Sequence, residues 1–331
     1  MKNKLSLVFI VFVLLSSCDN QKKAGEEQIL SEEKALIQPP PFNSDSAFAF
    51  IAAQVNIGPR VPNTQAHVET GDFLVKKLEA YGAKVMEQKF EMEAFDGTML
   101  SLRNIVGVYN PDAKKRILLA AHWDTRPFAD KDNENVNLPI QGANDGGSGV
   151  GVLLEIARVI NISPPDVGID IILFDGEDYG EPDSFKGNLN KEEIYWCLGS
   201  QYWSENPHAD AYSAYYGILL DMVGAKDAEF YQEGTSMHFA PTIVEKVWNT
   251  AARLGHSNHF IPVKAGMIID DHVFINEKAK IPTIDIVEYG PDKKGVYFGE
   301  YHHTHEDNLD IISKETLQAV GETVLYVVYN E

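Results

Sequence analysis

One stretch of the chain, residues 169–180 (IDIILFDGEDYG), constrains the fold more than any other. It begins as a β-branched, largely apolar run and ends abruptly in Asp175, Glu177 and Asp178. Such a run predicts a strand buried on both faces, as in a parallel sheet. Polar residues end strands in all proteins, but ligand sites of open α/β sheets form where such strands stop. Because adjacent carboxylates repel each other there, a cation or a shared proton must compensate Glu177 and Asp178.

The remaining elements predict an α/β fold with a single globular domain. Short apolar strands alternate with segments in which apolar residues recur at helical spacing. The predicted strands are residues 83–95, 98–109, 116–121, 169–174, 216–220 and 282–287, and the predicted helices are residues 45–55, 68–81, 149–160, 241–254 and 313–329. This order predicts a central mixed, mainly parallel β-sheet flanked by helices, in one domain over residues 42–331.

The N-terminal segment predicts export. Residues 1–17 place two lysines before an apolar run that is too short to span a bilayer, which is typical of a signal peptide. The run leads into Cys18 through Leu-Ser-Ser, which resembles the cleavage motif of bacterial lipoproteins. Cys18 would then carry lipid, and residues 18–41 would be a tether. We expect an exported bacterial lipoprotein, membrane-anchored and facing the periplasm, in either the inner or the outer membrane; the alternative is a plain secretory signal with an incidental cysteine.

The charge and the cysteines exclude some partners and ligands. The formal net charge is -21, and it becomes about -23 when Lys2 and Lys4 leave with the signal peptide. A surface this acidic argues against nucleic acid as a partner. With Cys18 lipidated, Cys197 remains alone, so we expect no intramolecular disulfide. Any metal site must then use oxygen and nitrogen ligands.

Acidic and imidazole side chains follow the ends of several predicted strands or lie in the loops beyond them. These residues are His122, Asp145, Glu177, Asp178, Asp221, Asp270, Asp271, His272, His302 and His303. The carboxyl ends of parallel strands share one edge of a sheet, so these groups should converge. Each has an ordinary explanation by itself, such as a helix cap, a turn or a hydrogen-bonded core histidine. Together they would be costly without a divalent cation, and this ligand set suits zinc at an open catalytic site.

Five motifs occur in an order that resembles a known superfamily. They are His122-Trp123-Asp124, Gly142-Ala143-Asn144-Asp145, Asp175-Gly176-Glu177-Asp178, Leu220-Asp221-Met222-Val223-Gly224 and His303-Thr304. From about Val68 to the C-terminus the chain is similar to the zinc aminopeptidases with two co-catalytic metals. It is also similar to their relatives, the glutaminyl-peptide cyclotransferases or glutaminyl cyclases, and especially to the bacterial zinc-dependent type.

The resemblance implies which residues bind the metal. In a cyclase, one zinc ion would be held by Asp145, Asp178 and His303. The family usually has glutamate where this chain has Asp178, and the shorter carboxylate binds zinc if the ion or the backbone shifts slightly. In a peptidase two zinc ions would be held, with His122 and Asp221 as further ligands; otherwise His122 is structural.

The resemblance also implies the catalytic acids. Glu177 would move the proton, and Asp221 and Asp270 would form a hydrogen-bonded acid network with it. The sequence Asp270-Asp271-His272 resembles the cyclases, because the peptidases typically have a small residue at its first position. We therefore predict zinc-dependent cyclisation of the N-terminal glutamine of peptides and proteins to pyroglutamate, with release of ammonia. The alternatives are a two-zinc aminopeptidase that hydrolyses N-terminal residues and a lipid-anchored binding protein that has lost catalysis.

Aromatic residues near these motifs are candidates for the glutamine pocket. They are Trp123, Trp196, Trp203 and Tyr301, although packing in the core or on the surface is an ordinary explanation for each. Animal cyclases have a pocket-lining tryptophan at the position of His302, so Trp196 or Tyr301 would take its role here. Trp196 is the favoured candidate because it lies in the segment that follows the Glu177 loop.

Overall fold

A six-stranded β-sheet forms the centre of the described residues of this computed structural model, which are residues 36–182, 184–187, 193–291 and 297–331. Its strands are β1 (Lys84–Glu93), β2 (Met99–Tyr109), β3 (Arg116–His122), β4 (Gly168–Phe174), β5 (Tyr216–Asp221) and β8 (Thr283–Val287). Two short parallel strands, β6 (Phe230–Gln232) and β7 (Phe260–Lys264), pair with each other. The predicted signal peptide, Cys18 and most of the tether lie outside the described residues.

Eight α-helices surround the sheet in the described part of the chain. They are α1 (Ser44–Ile57), α2 (Gln65–Ala80), α3 (Gly147–Ile162), α4 (Leu198–Glu205), α5 (Gly234–Phe239), α6 (Pro241–Leu254), α7 (Asp271–Phe274) and α8 (Lys314–Tyr329). A π-helical turn, Ile275–Ala279, continues α7. None of the described helices combines the length and the apolar character needed to cross a membrane.

The strand order explains where a site can form. The order across the sheet is β1-β2-β4-β3-β5-β8. β3 pairs in parallel with β4 and β5, and β5 with β8, whereas β1, β2 and β4 pair antiparallel. The predicted mixed, mainly parallel sheet is therefore confirmed. The chain passes from β3 through α3 to β4 on one side and returns through α4 to β5 on the other, so the order reverses at the carboxyl end of β3.

Alternating side chains bury the sheet between two layers. Ile117 and Leu119 of β3 pack in the large core that contains residues of α1, α3 and α8. Leu118 and Ala120 point to the opposite face, where they pack with Trp203 of α4. This alternation follows from the two-residue period of a strand. Both faces of the parallel strands are covered, so their polar ends at the sheet edge are the natural position for a ligand site.

Candidate active site and metal centre

A cavity of about 280 Å³ lies where β4 and β5 end, beside the loop before α3. Its lining residues come from the ends of β4 and β5 and from the loops between β3 and α3, before α4, before α7 and after β8. They are Lys131, Asp145, Glu177, Trp196, Asp221, Met222, Ile268, Ile269, Asp270, Phe298, His302 and His303. Most of the acids and two of the imidazoles expected at this edge therefore do face one space.

Asp145, Asp178 and His303 come together although they are far apart in sequence. His303 Nε2 lies 3.3 Å from Asp178 Oδ1 and 3.7 Å from Asp145 Oδ2. All three side chains are buried. The backbone N–H of Asp145 donates to Asp307 Oδ2 at 3.1 Å, which fixes the loop before α3. His303 has a φ of 58°, a left-handed conformation of the kind that concentrates at functional sites.

These three residues are candidates to hold a zinc ion, although the ligand atoms that lie within 4.8 Å of one another join Asp145 and His303 with His302. Zinc binds four ligands in a tetrahedron at about 2.0–2.2 Å, so adjacent ligand atoms lie about 3.3–3.6 Å apart. The two distances from His303 Nε2 are close to that spacing. Asp178 Oδ2 is buried and has no hydrogen-bond partner among the described residues. Arg126 Nη1 lies 3.5 Å from the other oxygen, Asp178 Oδ1, so Oδ2 is the oxygen left to bind a metal ion or a proton. Three protein ligands are typical of catalytic zinc.

His122 forms a second ligand set that shares Asp145. His122 Nε2 lies 3.1 Å from Asp145 Oδ1 and 3.1 Å from Asp221 Oδ1. Asp145 thus faces His303 with one oxygen and His122 with the other. Burial lowers the pKa of His122, but Asp124, Asp145 and Asp221 raise it well above its usual range. The second set therefore accommodates either a second ion or a proton on His122.

Asp124 holds the acidic pair in position. Its Oδ1 accepts a hydrogen bond from the backbone N–H of Glu177 at 3.1 Å, and its Oδ2 accepts one from that of Asp178 at 3.2 Å. Gly176 makes this possible because its φ of 70° turns the chain sharply after β4. Asp175, just before the turn, instead lies 2.9 Å from the Nε2 of His67. The turn at Gly176 therefore separates Asp175, which has a structural role, from the site acids Glu177 and Asp178.

Arg126 and Asp130 contact two of the candidate zinc ligands, Asp178 and His303, and orient them. Arg126 Nη1 donates to the carbonyl oxygen of Asp178 at 3.0 Å, and its Nε donates to Asp130 Oδ1 at 2.6 Å. The same Asp130 oxygen lies 3.4 Å from His303 Nδ1. Nδ1 makes no hydrogen bond of its own among the described residues, but a carboxylate at this distance favours the ring hydrogen on Nδ1, which leaves Nε2 to bind metal.

Glu177 is surrounded by groups other than the ligands. Cys197 Sγ donates to Glu177 Oε1 at 3.1 Å, and the Cys197 backbone N–H donates to the Glu177 carbonyl oxygen at 2.9 Å. A carboxylate oxygen of Asp270 lies within 4.8 Å of one of Glu177. Burial raises the pKa of Glu177 well above its usual range, and Asp270 and Asp178 raise it further against the lowering effect of His122. Such a carboxylate holds a proton readily.

The acid network reaches deeper than Asp221 and Asp270. Burial raises the pKa of Asp221 to about 7, and Asp270 and Asp145 add to the rise while His122 opposes it. Asp285, in the middle of β8, is fully buried. Its burial, together with Asp270 and Asp221, raises its pKa well above the usual range. Asp285 therefore extends the proton-holding group into the sheet, which its position inside an apolar strand did not reveal.

Glu233 anchors the loop that carries Asp270. Its carboxylate accepts backbone N–H groups from the start of α5 at 2.6 and 2.7 Å and from Ile268 at 3.1 Å. His272 Nε2 lies 3.1 Å away. Burial raises the pKa of Glu233, but His272 and the backbone donors lower it to about 2. An ionised Glu233 thus joins residues on both sides of Asp270.

Lys131 sets the tautomer of His302. Lys131 Nζ donates to His302 Nδ1 at 2.7 Å, so the neutral ring carries its hydrogen on Nε2. Burial lowers the pKa of His302 well below its usual range, and His303 lowers it further. His302 Nε2 lies 3.9 Å from Asp145 Oδ2, but a protonated nitrogen offers no lone pair to a metal. His303 is the imidazole of this pair that is available as a ligand.

Of the four aromatic candidates, Trp196 lines the cavity, whereas Trp203 is buried in the core. The Trp196 ring stacks on His303 with the centroids 6.0 Å apart and the planes 5° apart, and Arg126 lies 4.6 Å from its centroid. Trp123 is fully buried and stacks on His67 at 4.4 Å. Strand alternation turns it away from its neighbours at the site. The expectation that Trp123 lines the pocket is corrected: it is a core residue.

Tyr301 is half-buried and is not among the residues that line the cavity. Its hydroxyl accepts a hydrogen bond from Asn144 Nδ2 at 2.9 Å and donates to Glu288. Asn144 precedes Asp145, so Tyr301 supports the loop that presents this ligand candidate. The expectation of a pocket-lining role for Tyr301 is corrected to this supporting contact.

Several site residues carried no signal of their role in the sequence. Asp124 and Arg126 stand in the stretch that follows β3, but their backbone partners depend on the turn at Gly176. Asp130 and Cys197 belong to none of the five motifs. Only the folded geometry shows that these groups hold the acids and the imidazole in place.

Comparison with known proteins identifies relatives over most of the described fold. The profile of Peptidase family M28 matches residues 104–328. The glutaminyl cyclase of Bacteroides thetaiotaomicron, solved with N-acetylhistamine, is 53% identical with a TM-score of 0.85, over 88% of this chain and 99% of that chain. A Zn-dependent exopeptidase from Parabacteroides distasonis is 50% identical with a TM-score of 0.85, over 88% and 99%.

A curated relative covers less of its own length. Aminopeptidase YwaD of Bacillus subtilis is 28% identical over 279 residues, which are 81% of this chain and 51% of that protein. This chain therefore spans about half the length of that relative.

Proposed function

The chain belongs to peptidase family M28, and from that premise we propose that it cyclises the N-terminal glutamine of peptides and proteins to pyroglutamate, with release of ammonia. The observation that carries the proposal is the acid network: Glu177 lies within 4.8 Å of Asp270, and the pKa of Asp221 is raised to about 7. Carboxyl groups that share protons suit an intramolecular proton transfer. The glutaminyl cyclase of Bacteroides thetaiotaomicron, at 53% identity, supports the same assignment.

The reaction requires little from the protein beyond orientation, charge and a proton carrier. The α-amine nitrogen attacks Cδ, the carbon of the side-chain carboxamide of the same residue, and the bond from that carbon to the amide nitrogen breaks, so that ammonia leaves. Because both reacting groups belong to one residue, the substrate itself supplies most of the proximity. Zinc, when bound, supplies Lewis-acid polarisation of the γ-carbonyl.

Glu177 is the proton carrier in this proposal. Cys197 engages Oε1 of Glu177, which leaves Oε2 to accept a proton from the α-amine. The same proton then goes to the departing nitrogen, which leaves as ammonia. Asp221 and Asp270 share protons beside Glu177. This sharing reduces the negative charge that the three carboxyl groups would otherwise carry together. Trp196 forms part of a cavity of about 280 Å³, a size suited to one side chain.

We propose one zinc ion per chain, held by Asp145, Asp178 and His303. The support is electrostatic: a proton on His122 compensates Asp145 and Asp221 where a second ion would otherwise sit. The second candidate function is a two-zinc aminopeptidase. The observation that favours it is the spacing of the His122 set, with Nε2 at 3.1 Å from both neighbouring carboxylates.

Glu177→Gln tests the proposal because it removes the proton carrier without removing a ligand candidate. We expect ammonia release from a peptide with N-terminal glutamine to be abolished, while zinc content stays at the wild-type value. Glu205→Gln, on the exposed end of α4, is the matched control and should behave as wild type. Turnover retained in Glu177→Gln would remove Glu177 as the carrier.

We also propose that the protein is an exported lipoprotein anchored through Cys18, in line with residues 1–18. Cys18→Ala should move the protein from the membrane fraction to the soluble fraction when the gene is expressed in a bacterial host. A variant that stays with the membrane would contradict lipid attachment at this residue.

A further inference from the structure

A second cavity, of about 620 Å³, lies beside the catalytic cavity, and the proposed reaction does not use it. The two cavities share Lys131, Ile268, Phe298 and His302 as lining residues. The shared residues form a common wall. A molecule bound in the catalytic cavity therefore has this second cavity at its side.

The wall of the second cavity is a continuous row of rings. Tyr297 stacks on Tyr289 with centroids 5.5 Å apart, Tyr289 contacts Phe298 at 4.9 Å, and Phe298 contacts His302 at 4.5 Å. We name these four residues the aromatic row. The row begins at Tyr297, which is 59% exposed, and ends at His302 beside the catalytic cavity. It offers ring faces and edges to apolar or aromatic side chains.

A small hydrophobic cluster holds the aromatic row in place. Tyr289 is buried in a small cluster with Met222 and Val287, and Ile268 and Phe298 pack against this cluster. Met222 directly follows Asp221 at the end of β5. The cation at the wall is already engaged, because Lys131 Nζ donates to His302 Nδ1 at 2.7 Å. Glu300 also lines the second cavity, but most of its remaining lining is aromatic or apolar, so the cavity offers a preformed, largely apolar surface.

The spacing of residues in a peptide places the second residue of a bound substrate next to the second cavity. Consecutive α-carbons lie about 3.8 Å apart, so the second residue of a substrate must lie at the edge of the cavity that holds the first. Resting on the proposed function, we propose that the second cavity binds the side chains of the second and third residues of the substrate and selects apolar or aromatic ones. Cavities of this size bind ligands larger than one side chain.

The test compares two substrates, Gln-Phe-amide and Gln-Gly-amide, by ammonia release from the zinc-loaded full chain. We expect kcat/KM to be about tenfold higher for Gln-Phe-amide, which corresponds to about 1.4 kcal/mol. The difference should appear as a lower KM, with kcat similar for the two substrates. In Tyr297→Ala and in Phe298→Ala the ratio should fall to within about twofold of one, because the ring contact is lost. Tyr215→Ala, which removes a tyrosine 66% exposed at the other end of β5, is the control and should keep the wild-type ratio.

Several results would overturn the inference. A wild-type ratio near one would do so, as would a high ratio that survives in both variants. Tyr297 is exposed enough that its variant folds even if Phe298→Ala does not. If neither peptide releases ammonia, the proposed function has failed by itself. Calorimetric titration of the same two peptides then decides the inference: tighter binding of Gln-Phe-amide supports it, and equal affinity overturns it.

Discussion

Asp124→Asn tests how the two site acids are held in place. Asp124 is fully buried, and each of its oxygens accepts one backbone N–H, from Glu177 at 3.1 Å and from Asp178 at 3.2 Å. Asparagine has nearly the same shape but only one oxygen. In either orientation its NH₂ group faces one of the two backbone N–H groups, so one hydrogen bond is lost and the other loses the charge of its acceptor.

The size of the effect follows from these two bonds. Hydrogen bonds to charged groups contribute about 1.5–3 kcal/mol each, and neutral ones about 0.5–1.5 kcal/mol. Losing one bond costs about 1.5–3 kcal/mol and making the other one neutral costs about 1–1.5 kcal/mol, so the positioning of the Glu177 loop loses about 2.5–4.5 kcal/mol. If the transition state loses this whole free energy, kcat/KM falls by about 70- to 2,000-fold. Zinc affinity should fall as well, because Asp178 is held by the same residue.

The assay is ammonia release from a peptide with N-terminal glutamine, measured at saturating zinc so that lost affinity does not mask the effect on Glu177. Asp166→Asn is the control, because Asp166 is exposed in the loop before β4, at the opposite end of the sheet. We expect the control to match wild type. A value of kcat/KM for Asp124→Asn within about twofold of wild type would refute the reasoning, because the bonds would then contribute under about 0.4 kcal/mol.

Three further predictions concern supporting groups. Asp130→Asn should lower zinc affinity about 10- to 100-fold through the orientation of His303, measured by competition with a chelator; unchanged affinity would contradict this role. Cys197→Ala should lower kcat about tenfold by removing the thiol donor to Glu177, and Cys197→Ser should restore part of the rate, whereas equal rates in all three proteins would dismiss the contact. Glu233→Gln should lower the free energy of unfolding at neutral pH by about 3 kcal/mol, because the pKa of Glu233 is about 2 in the folded chain against about 4.3 unfolded. Since folding lowers that pKa, the difference between the two proteins is fully present above pH about 4.3 and shrinks as the pH falls toward about 2; a difference independent of pH in urea denaturation would contradict it.

The long elements of the fold could be predicted closely because their boundaries carry chemical signals. β5 was predicted over residues 216–220 and spans Tyr216–Asp221, since its apolar run stops at a charge. α6 agrees at both ends, because Pro241 occupies its first turn and Gly255 its C-cap with a φ of 93°. β6 and β7 were missed because three and five residues are too few to show a period.

The sequence predicted the acidic residues of the candidate site better than the residues that hold them in place. Parallel strands carry their polar ends to one edge, which is why Asp145, Glu177 and Asp221 could be expected to converge. The bonds of Asp124 and Asp130 could not, because they depend on the path of the backbone after each strand. Trp123 shows the limit most clearly: proximity in sequence suggested the pocket, and strand alternation buried it in the core.

The most direct test of the central claim is product analysis together with a metal count. Zinc-loaded protein is incubated with a peptide that begins with glutamine, and the peptide is examined by mass spectrometry while zinc per chain is measured on the same sample. The account predicts a full-length pyroglutamyl peptide, one ammonia released per turnover, and one zinc ion per chain. Free glutamine with a peptide shortened by one residue, and two zinc ions per chain, would contradict it.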